Sequence, residues 1–239
     1  MIISTQTCKK HLFGLRLCKI LYKNPDKNTM VYVRKNKKDA YIVIKGTNRM
    51  NHWIHNLSIF LTEEGMHSGF NQFSELCKTE IKADIDAYME TNMNDLKYIE
   101  NIHLISHSLG ASALIILLYN EMIKEDGYFA NIMDNVNVDI VLVGAPKSGN
   151  KIFSEKFNEI LKKFKTIQLF RYNIENDLVS IYPPWNIYEH VCEEIKMKEQ
   201  KTLLNIIHNH SLYNYINNLR IKLNVANREK ANYIIFPKK

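Results

Sequence analysis

Ile102-His-Leu-Ile-Ser-His-Ser108-Leu-Gly-Ala-Ser-Ala-Leu114 reads as a short apolar strand, a sharp turn with a serine at its apex, and a helix rich in Ala, Leu and Ile. That is the layout of a nucleophile elbow, which lifts a serine hydroxyl above the edge of a sheet. A serine hydroxyl is a poor nucleophile until a base and an anion site converge on it, so the rest of the chain is read for those partners. The G-x-S-x-G pattern is met only in part, because Ser106 stands where the first glycine belongs. Side chains crowd that turn, and serine is the smallest polar substitute. Alone, this five-residue match is weak, and the alternative is an ordinary strand–turn–helix with an unexceptional serine.

Working outward, the pattern of elements is alternating. Leu12, Leu15, Cys18 and Tyr22 recur at helical spacing over His11–Tyr22, and Asn24-Pro-Asp-Lys-Asn is a turn. Met30–Arg34 and Ala40–Lys45 are β-rich and flank a polar connection, as in a hairpin. Asn48–Leu57 predicts a short helix and Phe70–Met89 a long amphipathic one. The strand at Asn101–Ser106 is followed by a helix over Leu109–Ile123. Val136–Val143 is an almost unbroken apolar run, expected of a strand buried on both faces of a parallel sheet. A helix over Gly149–Phe164, a strand over Thr166–Tyr172, an extended segment over Tyr188–Met197 and a helix over Leu203–Leu219 complete the pass. Strands alternating with helices predict an α/β architecture. With no linker, repeat or low-complexity segment, residues 1–239 read as one domain.

The composition suits a soluble globular protein, with 46% hydrophobic and 24% charged residues. The formal net charge of +7 is scattered, with no arginine-rich helix or nucleic-acid motif, so it reads as a solvated basic surface with weak attraction to anionic lipid and no nucleic-acid partner. None of the four cysteines forms a CxxC pair, which signals neither a zinc site nor a redox motif. The start of the chain does not resemble a secretory signal. Its longest apolar run, Ala113–Tyr119, is far short of the ~20 residues needed to cross a bilayer. A cytoplasmic or other reducing intracellular compartment is the expectation.

Where an elbow serine belongs to a triad in this kind of fold, the carboxylate and the histidine follow it in that order. The carboxylate belongs on a loop just after a neighbouring strand, where Asp177 stands with Glu175 as competitor. Three histidines lie downstream: His190, His208 and His210. His210 precedes a helix-like run and suits a loop reaching back over the sheet edge. These residues alone leave the choice among the three open.

The order of motifs resembles the class 3 lipases, the fungal-lipase-like branch of the α/β-hydrolases. Ile42-Val-Ile-Lys-Gly-Thr47, then Trp53-Ile-His-Asn-Leu57, is similar to the family's F-R-G-T/S followed by W-x-x-D-L. His67-Ser-Gly-Phe70 resembles H-x-G-F, and Ile102–Leu114 the G-H-S-L-G-G elbow. Val143-Gly-Ala-Pro-Lys-Ser-Gly-Asn150 resembles G-A-P-R-V-G-N. Asn176-Asp177-Leu-Val with Pro183-Pro184 resembles N-D-I-V-P with L-P-P, His190-Val-Cys-Glu-Glu194 resembles H-x-G-x-E, and Asn209-His210-Ser-Leu-Tyr213 resembles D-H-x-x-Y. The likeness runs in order from about residue 30 to residue 220. Lys45, Asn56, Ser106, Ala111 and Lys147 depart from the family pattern, and all spare the triad positions.

The resemblance implies an α/β-hydrolase fold with a mostly parallel central sheet flanked by helices. It implies Ser108 as nucleophile, Asp177 as orienting acid and His210 as base, with His190 matching a structural strand histidine. Thr47 and the amide of Leu109 correspond to the oxyanion hole. It also implies a lid over Asn48–Leu57, with Met50, Trp53, Ile54 and Leu57 on one side, that opens at a lipid surface. The expected activity is hydrolysis of lipid esters such as acylglycerols through an acyl-enzyme. The alternatives are a phospholipase A1-type enzyme, a feruloyl-type soluble esterase, or an inactive lipid- or protein-binding module. No cofactor or metal is called for: His52 and His55 lie three apart, but no third ligand accompanies them.

Overall fold

Six strands, ordered β1-β2-β3-β4-β6-β8, form the central sheet in a computed structural model. The structure describes residues 3–47, 60–92, 98–123, 136–198 and 209–235, the last of these with side chains through residue 224. β1 (Thr29–Arg34) and β2 (Asp39–Ile44) are the expected antiparallel hairpin. From β2 onward every neighbour is parallel: β3 (Asn101–His107), β4 (Asn137–Val143), β6 (Ile167–Ile174) and β8 (Glu194–Met197). Among the described residues, five helices surround it: α1 (Thr5–Leu21), α2 (Ser68–Asn92), α3 (Leu109–Met122), α4 (Lys151–Leu161) and α5 (Leu212–Ile235).

The unbroken apolar strands are explained by two cores, one on each face. Ala40, Ile42 and Ile44 of β2, Ile102 and Leu104 of β3 and Val138, Ile140 and Leu142 of β4 point to the face covered by α2, α3 and α4. The alternate residues Tyr41, Val43, Ile105, Val141 and Val143 point to the face covered by α1 and α5. Period-two alternation thus disappears from the sequence because both sides of each strand are apolar. Each fully buried Leu or Ile side chain contributes about 1.5–3 kcal/mol, so neither layer of helices is dispensable.

A buried polar cluster fastens α1 at the edge where the parallel strands begin. Lys10 pairs with Asp39 at 3.1 Å, His103 Nδ1 lies 3.0 Å from Asp139, and His11 Nδ1 lies 2.8 Å from the Tyr172 hydroxyl. Burial pushes the Asp139 carboxyl up, but its bonds to His103 and His11 outweigh this and hold it low.

Several boundaries differ from the sequence reading: the first helix, expected from His11, already begins at Thr5, and the segment expected over Tyr188–Met197 is two short strands. The helix expected from Gly149 begins at Lys151, because Gly149 and Asn150 form β5, which pairs antiparallel with β7 (Tyr188–Glu189). The Asn150 side chain then caps α4, accepting from the Phe153 amide at 2.9 Å. Of the helix expected over 203–219, residues 203–208 lie outside the described residues; the terminal helix runs from Leu212 to Ile235, beyond the expected end. The segment 48–57, expected to be helical, lies outside the described residues. Among the described helices, none is long and apolar enough to cross a membrane.

Candidate active site

The parallel strands bring three loops to one edge of the sheet. β2 ends at Ile44 and leads to Gly46 and Thr47, β3 leads to Ser108, and β6 leads to Asp177. Ligand sites in open α/β sheets form just beyond the carboxyl ends of such strands.

Ser108 stands between β3 and α3 with φ 59° and ψ −133°, a backbone region that side-chain-bearing residues rarely occupy. This is the strained elbow. Its amide donates to the Val143 carbonyl at 2.9 Å, so the neighbouring strand holds the turn. Ser106, at the usual glycine position, is accommodated because its hydroxyl donates to the Val141 carbonyl at 3.1 Å. The second glycine position cannot be relaxed in this way. A Cβ on Gly110 would lie 2.5 Å from the Lys45 carbonyl oxygen and 2.8 Å from that of Ile44. The start of α3 is therefore pressed against the end of β2, and a Cβ on Gly46 would likewise meet Ser108 Cβ at 2.6 Å.

The Ser108 hydroxyl lies 2.7 Å from His210 Nε2. On the other side of that ring, Nδ1 is 2.9 Å and 3.0 Å from the two carboxylate oxygens of Asp177. A carboxylate only accepts, so Nδ1 carries the hydrogen and Nε2 is left as the acceptor for the serine proton. The three residues are 2%, 4% and 2% exposed for Ser108, His210 and Asp177, which keeps the hydrogen-bonded chain out of bulk water.

Asp177 follows a turn at Asn176, which adopts φ 64°, a left-handed conformation that asparagine tolerates. Its carboxylate also accepts from the Val179 amide at 3.0 Å and from the Tyr215 hydroxyl at 2.5 Å. Burial raises its pKa, but the bonds from His210 and Tyr215 outweigh that and hold it below the ordinary carboxylate value. Glu175, the competitor, is exposed; its backbone carbonyl accepts from Asn209 Nδ2 at 3.3 Å and its amide donates to the Met197 carbonyl at 3.1 Å.

The histidines separate by geometry. His190 Nε2 is engaged by the Ser180 carbonyl at 2.8 Å, and burial, then the nearby Arg171 charge, push its pKa down to about 4. His208 lies outside the described residues, as do the lid residues Met50, Trp53, Ile54 and Leu57 and the pair His52 and His55. Among the described residues no group of three His, Cys, Asp or Glu is arranged to hold a metal ion.

The two residues expected as oxyanion donors, Leu109 and Thr47, both adjoin the elbow. The amide of Leu109 is the first in α3, one of the N–H groups for which a helix supplies no carbonyl. Thr47 is partly buried and directly follows Gly46, which abuts Ser108.

Tyr215 was not predicted. The D-H-x-x-Y resemblance points to Tyr213, yet that residue is half exposed, with Lys19 over its ring at 5.6 Å. Tyr215 is fully buried and occupies the place beside Asp177.

Residues 41–187, well over half of the chain, match the sequence profile of the lipase (class 3) family, and the chain belongs to that family. It is therefore a carboxylic ester hydrolase, and its substrates are lipid esters. The fold is similar to that of a Rhizomucor miehei lipase in its propeptide complex (17% identity, TM-score 0.62, 82% of this chain and 69% of that one). It is also similar to lipase II from Rhizopus niveus (15% identity, TM-score 0.58, 82% of each chain). Lip2 lipase from Yarrowia lipolytica aligns at 21% identity and TM-score 0.53, over 70% of this chain and 59% of its own length. At these identities the likeness is one of fold. No curated protein matches the chain.

Proposed function

We propose that the protein hydrolyses acylglycerol-type esters by two-step acyl transfer, with Ser108 as nucleophile, His210 as general base and acid, and Asp177 as the group that fixes the imidazole. The observation that carries this reading is the unbroken chain Ser108–His210–Asp177, with links of 2.7 Å and 2.9 Å. His210 Nε2 takes the serine proton as Oγ bonds to the ester carbonyl carbon and the carbonyl electrons move onto oxygen. The tetrahedral intermediate collapses, and the departing alkoxide takes the proton from His210. Water then attacks the acyl-enzyme by the same route and releases the acid. Asp177 stabilises the transient imidazolium without itself being protonated. The Leu109 amide and Thr47 bind the developing oxyanion, each such donor contributing roughly 10²–10³ in rate.

A lipid surface as the place of encounter is supported by the loop after Asp177. Leu178, Ile181, Trp185 and Ile187 are 45–60% exposed there, four apolar side chains in the stretch that follows the proposed acid. Burying such side chains in lipid is favourable at ~25 cal/mol per Å². All four cysteines carry free thiols, three of them buried, which suits a reducing compartment.

A fluorophosphonate probe tests the nucleophile: wild type should label and Ser108→Ala should not, and labelling that survives the substitution rejects the assignment. His210→Ala should abolish labelling while His190→Ala retains it. Emulsified and monomeric esters are compared in parallel, and a rate that does not rise with the appearance of an interface rejects the lipid-surface reading.

A further inference from the structure

We propose that Tyr22 is a positioning residue that, through the ring of His107, ties the strand end beside Ser108 to the backbone that carries His210. Its hydroxyl lies 2.8 Å from the Gly46 amide nitrogen and 2.7 Å from His107 Nδ1, and His107 Nε2 lies 3.0 Å from the His210 carbonyl oxygen. The proposal rests on the triad reading for its effect on rate, but the hydrogen-bond pattern stands independently of it.

The direction of every bond follows from the two backbone ends. A carbonyl only accepts, so His107 Nε2 carries the hydrogen. In the neutral ring Nδ1 is then an acceptor, and Tyr22 must donate to it. The remaining lone pair of Tyr22 accepts the Gly46 N–H. Each group fills one role, and the pattern breaks if His107 gains a second proton. Burial, then the proximity of His210, push the His107 pKa down to about 3, which keeps that ring neutral. Burial likewise raises the Tyr22 hydroxyl, which therefore keeps its proton.

The bridge sits where small shifts matter. Gly46 abuts Ser108 and precedes Thr47, the proposed oxyanion residue. The His107 ring stacks on the His210 ring with centroids 4.9 Å apart and planes at 25°. Tyr22 caps α1, its amide donating to the Cys18 carbonyl at 3.0 Å, and α1 is packed into the core shared with α5. One phenol hydroxyl thus sets the distance between the oxyanion side and the base side of the serine. Tyr22 lies outside the segment 41–187 that matches the family, whereas Gly46 and His107 lie within it.

Tyr22→Phe keeps the ring and removes the hydroxyl. On a monomeric p-nitrophenyl ester it should lower kcat about fivefold to tenfold, the scale of one lost hydrogen bond, with KM nearly unchanged. His107→Gln retains a donor at the Nε2 position and should stay more active than His107→Asn, which does not reach the His210 carbonyl. In the Gln background, Tyr22→Phe should cost little more. Imidazole ¹⁵N NMR of the wild type should find His107 neutral with hydrogen on Nε2 from about pH 5 to pH 9, and Tyr22→Phe should disturb that signature. The proposal is overturned by hydrogen on Nδ1 in the wild type, by a Tyr22→Phe kcat equal to that of the wild type, or by fully additive effects of the two substitutions. Should Tyr22→Phe fail to fold, the wild-type spectrum and the Gln–Asn comparison still decide. If Ser108→Ala continues to label while the His107 tautomer is as described, the triad reading fails and the bridge remains.

Discussion

Asp177 accepts hydrogen bonds from His210, Tyr215 and the Val179 amide, which leaves its carboxylate little freedom to rotate. Its substitution by Asn would present an amide that favours the opposite His210 tautomer, and we expect kcat to fall by roughly 10³–10⁴ with the fold retained; circular dichroism alongside ester hydrolysis checks both halves. Tyr215→Phe removes a single donor from a buried carboxylate and should cost about 1–3 kcal/mol of stability with a smaller loss in rate. Equal denaturation midpoints for this variant and the wild type would show that the hydroxyl is dispensable. That Ser108, Asp177 and His210 meet at one edge of the sheet was expected from the ordered motifs that resemble the family. Tyr215 was not, because positions 213 and 215 lie about 200° apart on a helix, so only one of them faces the carboxylate. Which one depends on how α5 is rotated against the sheet. Tyr22 was visible only as the last apolar position of an amphipathic helix; its bonds to His107 and Gly46 join residues far apart in the chain.

The elbow helix α3 depends on having no side chain at Gly110. A Cβ there meets backbone carbonyl oxygens of β2, which cannot swing aside as a side-chain tip can. Gly110→Ala should therefore destabilise by about 1–3 kcal/mol, as overpacked cores do, and should also reduce activity by displacing the Leu109 amide. Urea denaturation and ester hydrolysis on the same preparation measure both, and an unchanged midpoint would contradict the contact. At this scale β3, β4 and α3 were the most legible elements, since strands buried on both faces and an Ala/Leu/Ile helix leave long apolar runs. The region after Asp177 was least legible. Its two short strands, β7 and β8, belong to different sheets, and neither is long enough to impose a period on the sequence.

The molecule as a whole holds several histidines neutral. Burial depresses the pKa of His67 and His190 to about 4 and of His107 to about 3, against about 6.5 in an unfolded chain. Between about pH 6.5 and pH 4 the unfolded chain therefore binds protons that the folded one refuses. Stability must fall with pH across that interval, by up to about 1.4 kcal/mol per unit for each such group. The depressed carboxylates Asp139 and Asp177 act in the same sense at lower pH, since their contribution is lost as they protonate. Urea midpoints measured from pH 7.5 downward should decline steadily, and a flat series would refute the burial argument.

The interlock of α1 with α5 has a consequence for how the protein comes into being. Cys8 Sγ reaches the Leu219 carbonyl at 3.8 Å, and Leu12, Leu15 and Cys18 share a core with Leu212, Tyr215 and Leu219. A growing polypeptide on the ribosome exposes the greasy flank of its first helix until translation has passed those last partners. His210 arrives in the same late stretch, so the nascent chain carries Ser108 without the histidine that would activate it. The proposed triad is thereby completed only once α5 packs against α1.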